Sequence, residues 1–231
     1  MKPFRPPTFA LLLLCSGCGQ GLFDGRPDTG TIEYALSFPD QAANGIMSGM
    51  LPEKTTLAFT GDRQVAELSA AMGLFRTSMI MDGQGRTMDY QLTLMGKRIT
   101  AKLEAADILE YFSAGGRPTI VHTQRRDTVA GFPCRHAIAI FPRLECPEVE
   151  LWYTDEIALN APNWMNPYAE VEGVLLRYEM VHHGLRMRMD ASSVRPGQVD
   201  PAKFAVGEDF QRVSPAMLKE EMDEVLGSFQ Q

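Results

Sequence analysis

The sequence has few of the residues on which catalytic sites depend. It contains four cysteines and four histidines in 231 residues. A Ser or Cys nucleophile needs a His within reach and a third group that orients the ring. None of the histidines lies in a recognisable nucleophile motif, and the pair Ser192 and Ser193 is interpreted as a strand end. The sequence therefore predicts a protein that is not an enzyme. The four histidines are His122, His136, His182 and His183.

Basic residues are also scarce. Lys and Arg number 22 against 29 Asp and Glu, which gives a formal net charge of −7. Binding to phosphate backbones requires a clustered basic face. The pair Arg125 and Arg126 is interpreted as solvated residues at strand ends, so nucleic acid is excluded as a partner.

Long hydrophobic runs are absent. The apolar run at residues 9–14 is far shorter than the approximately 20 residues that a spanning helix needs. Lys2 and Arg5 precede this run, and the small residues Ser16 and Gly17 follow it. This order is typical of a cleaved export signal, which we place at residues 1–17 and exclude from the fold.

A cysteine, Cys18, directly follows the small residues. Residues 14–18, LCSGC, resemble the bacterial lipobox, although Cys15 stands where that pattern prefers Leu. Cys15 is itself a poorer acceptor because the bulky Leu14 precedes it. The resemblance implies a covalent lipid on Cys18 as the only cofactor, and each buried lipid methylene contributes about 0.8 kcal/mol to membrane attachment. The alternative is an ordinary cleaved signal that leaves Cys18 as a free thiol.

The lipobox resemblance also indicates a location. Gly19 follows Cys18, and the sorting rule of Gram-negative lipoproteins sends proteins without Asp at that position to the outer membrane. In an oxidising compartment the remaining pair, Cys134 and Cys146, predicts a disulfide. The bond requires a hairpin that turns near Ile140, because a turn at residues 142–146 would leave the two sulfurs too far apart.

Residues 18–30 are rich in Gly, Asp and Pro and are predicted to be a flexible tether. Residues 31–231 are predicted to form one domain of antiparallel strands, because apolar and polar residues alternate in segments such as 86–95. Glycine-containing turns at 61–62, 83–85 and 96–97 separate these segments. Helices are predicted at residues 105–113 and 214–229. In the second helix Ser214 can cap and Pro215 fits the first position.

Three motifs resemble a known family. Residues 128–134 (TVAGFPC), 151–157 (LWYTDEI) and 171–176 (VEGVLL) are similar to the ordered turn and strand motifs of domain-of-unknown-function family 4412 and the related GLPGLI proteins. Glu172 stands where those relatives usually carry Pro. The resemblance covers roughly residues 31–210. It implies an architecture like the LolA/LolB lipoprotein carriers: an incomplete antiparallel β-barrel with an apolar cavity, covered by helices. The predicted fold class is therefore α+β, mainly β, with a curved open sheet and a C-terminal helix.

Two ligand classes are compatible with the 14 methionines. Met79 and Met81, like Met187 and Met189, share one face of a strand, and thioethers suit Cu(I). The same spacing arises when methionine fills a core or lines an apolar cavity, and that interpretation is favoured. His182 and His183 are adjacent and point to opposite faces of a strand, so they are not predicted to share a metal ion. The residues predicted to line a cavity are Met79, Met81, Leu92, Trp152 and Trp164.

The sequence thus predicts a lipid-anchored envelope protein, held at a membrane through Cys18, that binds a lipid or a lipoprotein acyl chain in a half-barrel cavity. A filled core without a ligand is the competing structural interpretation. The corresponding alternative function is a structural or interaction module of the cell envelope, and a periplasmic copper binder is a weaker alternative.

Overall fold

The computed structural model describes residues 25–40, 51–112, 116–143, 148–182 and 185–227. The predicted signal segment, Cys18 and Cys146 lie outside these ranges. Within the ranges the chain forms twelve β-strands and two α-helices. In chain order they are β1 Thr29–Ser37, β2 Lys54–Thr60, β3 Arg63–Ala70, β4 Phe75–Asp82, β5 Thr87–Leu94, β6 Lys97–Leu103, α1 Ala105–Phe112, β7 Thr119–Val129, β8 Phe132–Ile140, β9 Glu148–Thr154, β10 Val174–His182, β11 Leu185–Pro196, β12 Gln211–Arg212 and α2 Pro215–Gly227.

The strands form one curved, open sheet, as predicted. Its order is β12-β6-β5-β4-β3-β2-β1-β11-β10-β9-β8-β7. Strands β1–β6 form one antiparallel meander and β7–β11 form a second. The pairing of β1 with β11 joins the two meanders, while the short β12 lies parallel to β6. The sheet therefore has β7 and β12 as its two edge strands. Its curvature turns the two meanders toward each other.

Alternation explains the first meander. In β5 the side chains of Met88, Tyr90 and Leu92 are buried, whereas those of Asp89 and Thr93 are partly exposed. The turns predicted at glycine lie between the strands, and at the β4–β5 turn the Asp82 carboxylate accepts hydrogen bonds from two backbone N–H groups at 2.9 Å. An Asp that satisfies turn amides in this way fixes the register of the hairpin.

The two helices begin as predicted. At α2 the Ser214 hydroxyl accepts a hydrogen bond from the Met217 N–H at 3.2 Å, and Pro215 occupies the first position. Leu218 and Met222 of α2 pack in one cluster with Ile108 and Phe112 of α1 and with residues of β5 and β6. Among the described residues, no helix has the length and apolar content that a membrane span requires.

The predicted tether extends too far into the domain. Strand β1 begins at Thr29, two residues before the predicted boundary. The Pro27 carbonyl accepts a hydrogen bond from the Ala158 N–H at 2.9 Å, and the Asp28 carbonyl accepts one from the Gly61 N–H at the same distance. Residues 27–30 have the composition of a flexible linker. They are nevertheless ordered, because their backbone groups form hydrogen bonds with the folded domain.

The second meander departs from the predicted alternation of buried apolar and exposed polar residues. Leu151, Trp152, Tyr153 and Thr154 are all buried in β9, although neighbouring residues point to opposite faces of a strand. Leu151 and Tyr153 pack in one cluster with Tyr168 and Val171, whereas Trp152 belongs to another cluster. The segment 155–173 supplies the cover, and its irregular sequence gave no periodic signal of that role.

The predicted disulfide involves Cys146, which lies outside the described residues, but the hairpin turn that the bond requires differs from the observed register. Cys134 is a free, buried thiol that donates to the Phe132 carbonyl at 3.4 Å. Strands β8 and β9 pair from Arg135 with Tyr153 to Ile140 with Glu148, so they are joined by residues 141–147. Cys134 therefore lies at the far end of the hairpin, about 20 Å along the strand from Ile140. Burial raises the pKa of its thiol to about 11.

Candidate functional site

The curved sheet encloses an apolar cavity with a volume of about 150 Å³. Its wall combines inward-facing side chains of β1–β5 and of β10–β11 with residues 162–166 and single residues of α1 and α2. No charged side chain is found among the described residues that line it. The lining residues are Tyr34, Leu51, Pro52, Thr55, Thr56, Leu57, Gln64, Ala66, Leu68, Ala70, Phe75, Thr77, Met79, Met81, Met88, Tyr90, Phe112, Pro162, Asn163, Met165, Asn166, Val174, Leu175, Tyr178, Met180, Leu185, Met187, Met189 and Met222.

Strand register places these residues on one face. Leu57 lies opposite Ala66, Ala66 opposite Met79, and Met79 opposite Tyr90, which gives one row of lining residues across β2–β5. Residues that face each other on antiparallel strands project from the same side of the sheet. The small Ala66 leaves space in the middle of this row. The cavity thus arises where large side chains flank a small one on a concave surface.

Three polar groups on the wall donate hydrogen bonds to backbone carbonyls of the protein. The Tyr34 hydroxyl donates to the Leu175 carbonyl at 2.8 Å, and the Gln64 amide donates to the Pro162 carbonyl at 3.3 Å. The Thr55 hydroxyl donates to the Glu67 carbonyl at 2.8 Å. Burial raises the pKa of Tyr34, Tyr90 and Tyr178 well above the usual range, so these phenols stay neutral. An entering molecule therefore meets a surface of low polarity.

A buried amide holds the irregular part of the wall in place. The Asn163 side-chain amide donates to the carbonyls of Val171 and Gly173 at 2.7 and 2.9 Å. Asn163 is 4% exposed, so these two hydrogen bonds are shielded from water. This clamp closes the segment on itself just before β10 and presents Pro162 and Met165 to the cavity.

The predicted cavity residues divide into two groups. Met79 and Met81 line the cavity. Leu92, Trp152 and Trp164 are not among its lining residues, because each belongs to a different environment. Leu92 packs in the core cluster with α1 and α2. The Trp152 ring contacts the His136 ring, with the two centroids 4.6 Å apart and the planes tilted by 53°. The Arg86 guanidinium carbon lies 5.6 Å from the centroid of the Trp164 ring.

Sequence reasoning missed most of the methionine wall. Met187 and Met189 share one strand face, for which core or cavity lining is the favoured interpretation over copper, but only Met79 and Met81 are among the predicted cavity residues, and the sequence predicts no cavity role for the other four. The sequence carried one usable signal, because Met180 and Met187 flank the same predicted hairpin and are brought opposite each other by its turn. Met165 and Met222 carried no such signal. Eight methionines line the cavity: Met79, Met81, Met88, Met165, Met180, Met187, Met189 and Met222.

The side chain of His136 contacts groups on the neighbouring strands β7 and β9. His136 has a fully buried side chain, with Nδ1 at 2.8 Å from the Thr123 hydroxyl and Nε2 at 3.2 Å from the Arg125 guanidinium. Because a guanidinium only donates, Nε2 is the acceptor and Nδ1 carries the proton. Arg125 also donates to Glu150 at 2.5 Å. These contacts make His136 a structural residue that organises the outer surface of β7–β9.

The other candidates also have structural partners. His122 Nδ1 lies 2.9 Å from the Tyr153 hydroxyl. The Ser192 hydroxyl donates to the Glu33 carbonyl at 3.1 Å, at the register shift between β1 and β11, so Ser192 lies inside a strand and not at its end. Arg125 and Arg126 likewise lie inside β7. His182 ends β10, and His183 lies outside the described residues.

The surroundings of His136 predict a loss of stability in acid. Burial, followed by the positive charge of Arg125, lowers the pKa of His136 below its usual value. The unfolded chain therefore binds this proton first as the pH falls below about 6.5. We expect the free energy of unfolding to decrease from that pH downward until the folded-state pKa is passed. Chemical denaturation at several pH values between about 7 and 5 measures this decrease.

A pair of variants assigns the effect. His136→Asn should show a smaller dependence of the unfolding free energy on pH than the unchanged protein, because the titrating group is gone. His122→Asn serves as the control, since His122 lies on the exposed part of the same strand region. An unchanged pH dependence in His136→Asn would contradict the assignment.

Metal-binding side chains of the common types do not converge: the described ranges contain no group of three or more His, Cys, Asp or Glu that could hold a metal ion.

The fold and cavity together define the class of this molecule as an open, curved antiparallel sheet with a methionine-rich apolar interior.

Comparisons with known proteins give fold relationships. No family model matches the chain, and no curated protein matches it. The solved structure of PNGF-II superposes with a TM-score of 0.52 at 14% identity, over 84% of this chain and 33% of that one. MucB superposes at 0.33 with 10% identity, over 80% of this chain and 60% of MucB. A β-barrel-like DUF1849 protein from Brucella abortus gives 0.34 with 10% identity, over 75% of this chain and 100% of that protein. This chain thus spans a third of the length of PNGF-II, with which it shares a fold.

Proposed function

We propose that this chain is a non-enzymatic, lipid-anchored protein of the bacterial cell envelope that binds an apolar ligand of the acyl-chain class in its cavity. The observation that carries the proposal is the uncharged wall, on which the Tyr34 and Gln64 side chains donate to backbone carbonyls of the protein. A carboxylate or phosphate group would find no cationic partner among the described residues of the wall. The aliphatic part of a lipid or of a lipoprotein acyl chain loses nothing on entering such a surface and gains about 0.8 kcal/mol per buried methylene.

The methionine wall suits a flexible ligand. A volume of about 150 Å³ is below the range of roughly 300 to 1,000 Å³ that is usual for drug-sized ligands. Methionine is unbranched and has three rotatable bonds, so it repacks around irregular shapes at little cost. Eight such side chains can move apart as a chain enters. The cavity is therefore expected to accept acyl chains of different lengths with modest selectivity.

Native mass spectrometry tests this function directly. The protein is extracted from membranes in mild detergent, and a non-covalent adduct with the mass of a lipid or fatty acid is expected. Titration with the fluorescent fatty acid cis-parinaric acid should then give saturable binding that unlabelled palmitate displaces. Absence of both an adduct and saturable binding would overturn the proposal and favour an envelope interaction module without a small ligand.

The envelope location is proposed from the lipobox-like segment at Cys18, together with Gly19 at the position that favours the outer membrane. The family 4412 motifs and the LolA/LolB-like architecture are part of the same proposal. Acyl chains on Cys18 would hold the sheet next to the lipids from which a ligand would come.

Replacement of Cys18 tests the anchor. We expect Cys18→Ala to abolish incorporation of radiolabelled palmitate and to move the protein from the membrane pellet to the soluble fraction, because the acceptor thiol is lost. Cys15→Ala is the matched control and should keep the label. Full labelling of Cys18→Ala would contradict the proposal, because the lipid would then be attached to another residue.

A further inference from the structure

Three of the cavity methionines lie close together on neighbouring strands. Met180 of β10 lies directly opposite Met187 of β11, and Met189 follows two residues along β11. Opposed residues on antiparallel strands have Cβ atoms about 5 Å apart, and diagonal neighbours lie about 7 to 8 Å apart. Residues two positions apart on one strand are separated by about 7 Å. The three Cβ atoms therefore form a compact triangle on the cavity wall.

The sulfurs of such a triangle can reach a common point. Each methionine sulfur lies two bonds beyond Cβ on a chain with free rotation, and all three side chains line the same cavity. Met187 and Met189 are 8% and 9% exposed, and Met180 is half-buried between the two core clusters. They are thus at the surface of the cavity, where an entering ion can contact them without opening the core.

The chemistry of three thioethers selects one kind of ion. Neutral, soft sulfur ligands suit Cu(I), whereas Mg²⁺, Ca²⁺ and Mn²⁺ require oxygen ligands, and carboxylates are missing from the described wall. The single positive charge must also be accepted in an apolar space. Tyr178 lies opposite Met189, and its ring meets that of Tyr34 edge to face at 6.0 Å. Aromatic ring faces stabilise a cation nearby.

We propose that Met180, Met187 and Met189 form a binding site for Cu(I) on the cavity wall. The site is independent of acyl-chain binding, since it requires sulfur and not merely an apolar surface. The two functions would share one cavity and can be separated experimentally.

The first meander contains an internal control. Met79, Met81 and Met88 have the same arrangement, because Met81 lies opposite Met88 and Met79 is two residues from Met81. Met81 and Met88 are only 3% and 0% exposed, however. They line the same cavity, but they are less exposed than Met187 and Met189 and pack in the core cluster that includes α2. This second triangle is expected to bind Cu(I) far more weakly.

Competition for copper tests the site. The membrane-extracted protein is titrated anaerobically with Cu(I), kept reduced by ascorbate, against the chelator bicinchoninate. Met187→Leu and Met180→Leu should each weaken Cu(I) binding at least about tenfold, which corresponds to about 1.4 kcal/mol. Leu for Met conserves volume and apolar character. Met88→Leu, the matched change in the second triangle, should leave the affinity unchanged.

Two further measurements separate the possible outcomes. Cys134→Ala should retain copper binding, which shows that the buried thiol is not the ligand. Binding of cis-parinaric acid is measured on the same Met→Leu variants, so loss of copper and loss of acyl binding are scored as distinct results. Wild-type copper affinity in both Met187→Leu and Met180→Leu, or a chelator that removes all copper from the unchanged protein, would overturn the proposal.

Discussion

Replacement of Met79 with lysine is expected to abolish binding of cis-parinaric acid. Met79 lies on the cavity wall between Ala66 and Tyr90, where no charged group is available to pair with an ammonium. The charge would either remain in the apolar space, at a cost of several kcal/mol, or draw water into the cavity. Either result removes the apolar surface that an acyl chain requires. Fluorescence titration should show at least about a hundredfold loss of affinity, equivalent to about 2.8 kcal/mol.

Two controls accompany this variant. Met95→Lys makes the same chemical change at a residue that is 79% exposed, and it should bind the probe like the unchanged protein. Met79→Leu keeps the wall apolar and should retain binding, which shows that the charge and not the loss of sulfur is responsible. If Met79→Lys remains folded by circular dichroism and binds the probe with unchanged affinity, the ligand does not occupy this cavity.

Asn163→Asp is expected to destabilise the fold by about 3 to 5 kcal/mol at neutral pH, the range seen when a buried charge is left without a partner. The amide donates to the Val171 and Gly173 carbonyls, whereas an ionised carboxylate would face both with an acceptor. Its pKa should be raised in the folded state, because burial and the two carbonyl dipoles disfavour the charge. Stability should therefore be greatest below about pH 4, the unfolded pKa, and should fall as the pH rises to the folded pKa.

Urea denaturation across this pH range measures the effect. Asn166→Asp is the matched control, because its side-chain oxygen accepts a hydrogen bond from the Tyr168 N–H at 2.9 Å and an Asp oxygen can accept the same bond. This control should cost far less than Asn163→Asp. Equal and small costs for the two variants would mean that the amide clamp does not hold the segment 155–173.

The strands could be predicted because their information is local. In β5 the alternation of Met88, Tyr90 and Leu92 with polar neighbours already specifies a strand with one buried face. The Ser214 cap and Pro215 likewise mark the start of α2 within two residues. The boundary of β1 could not be obtained in this way, since residues 27–30 become ordered only through hydrogen bonds to Ala158 and Gly61.

The disulfide prediction shows the same limit. Cysteine number and compartment favour a bond between Cys134 and Cys146, but their distance depends on where the hairpin turns. The pairing of Ile140 with Glu148 moves the turn beyond Ile140 and leaves Cys134 at the opposite end. The register of β8 and β9 thus decides whether the hairpin turns where the predicted bond requires it to turn.

The cavity required still more distant information. Met79 and Met81 were found because their spacing marks an inward-facing strand. Trp152 was misplaced because both faces of β9 are buried, and periodicity cannot tell which buried face borders a cavity. Met165 and Met222 reach the wall from the segment 155–173 and from α2, and no local pattern connects them with β4.

The amino-acid sequence by itself determined the antiparallel strands, their turns, the terminal helix and a methionine content that suits an adaptable interior, because these depend on neighbours a few residues apart. Only the tertiary structure decided that β1 pairs with β11 and that one cavity collects eight methionines. It also decided that Cys134, in the part of the chain that the structure describes, is a free and buried thiol. The physical reason is that curvature and the closure of two meanders bring together residues more than a hundred positions apart, and the free energy of those contacts is not encoded in any single segment.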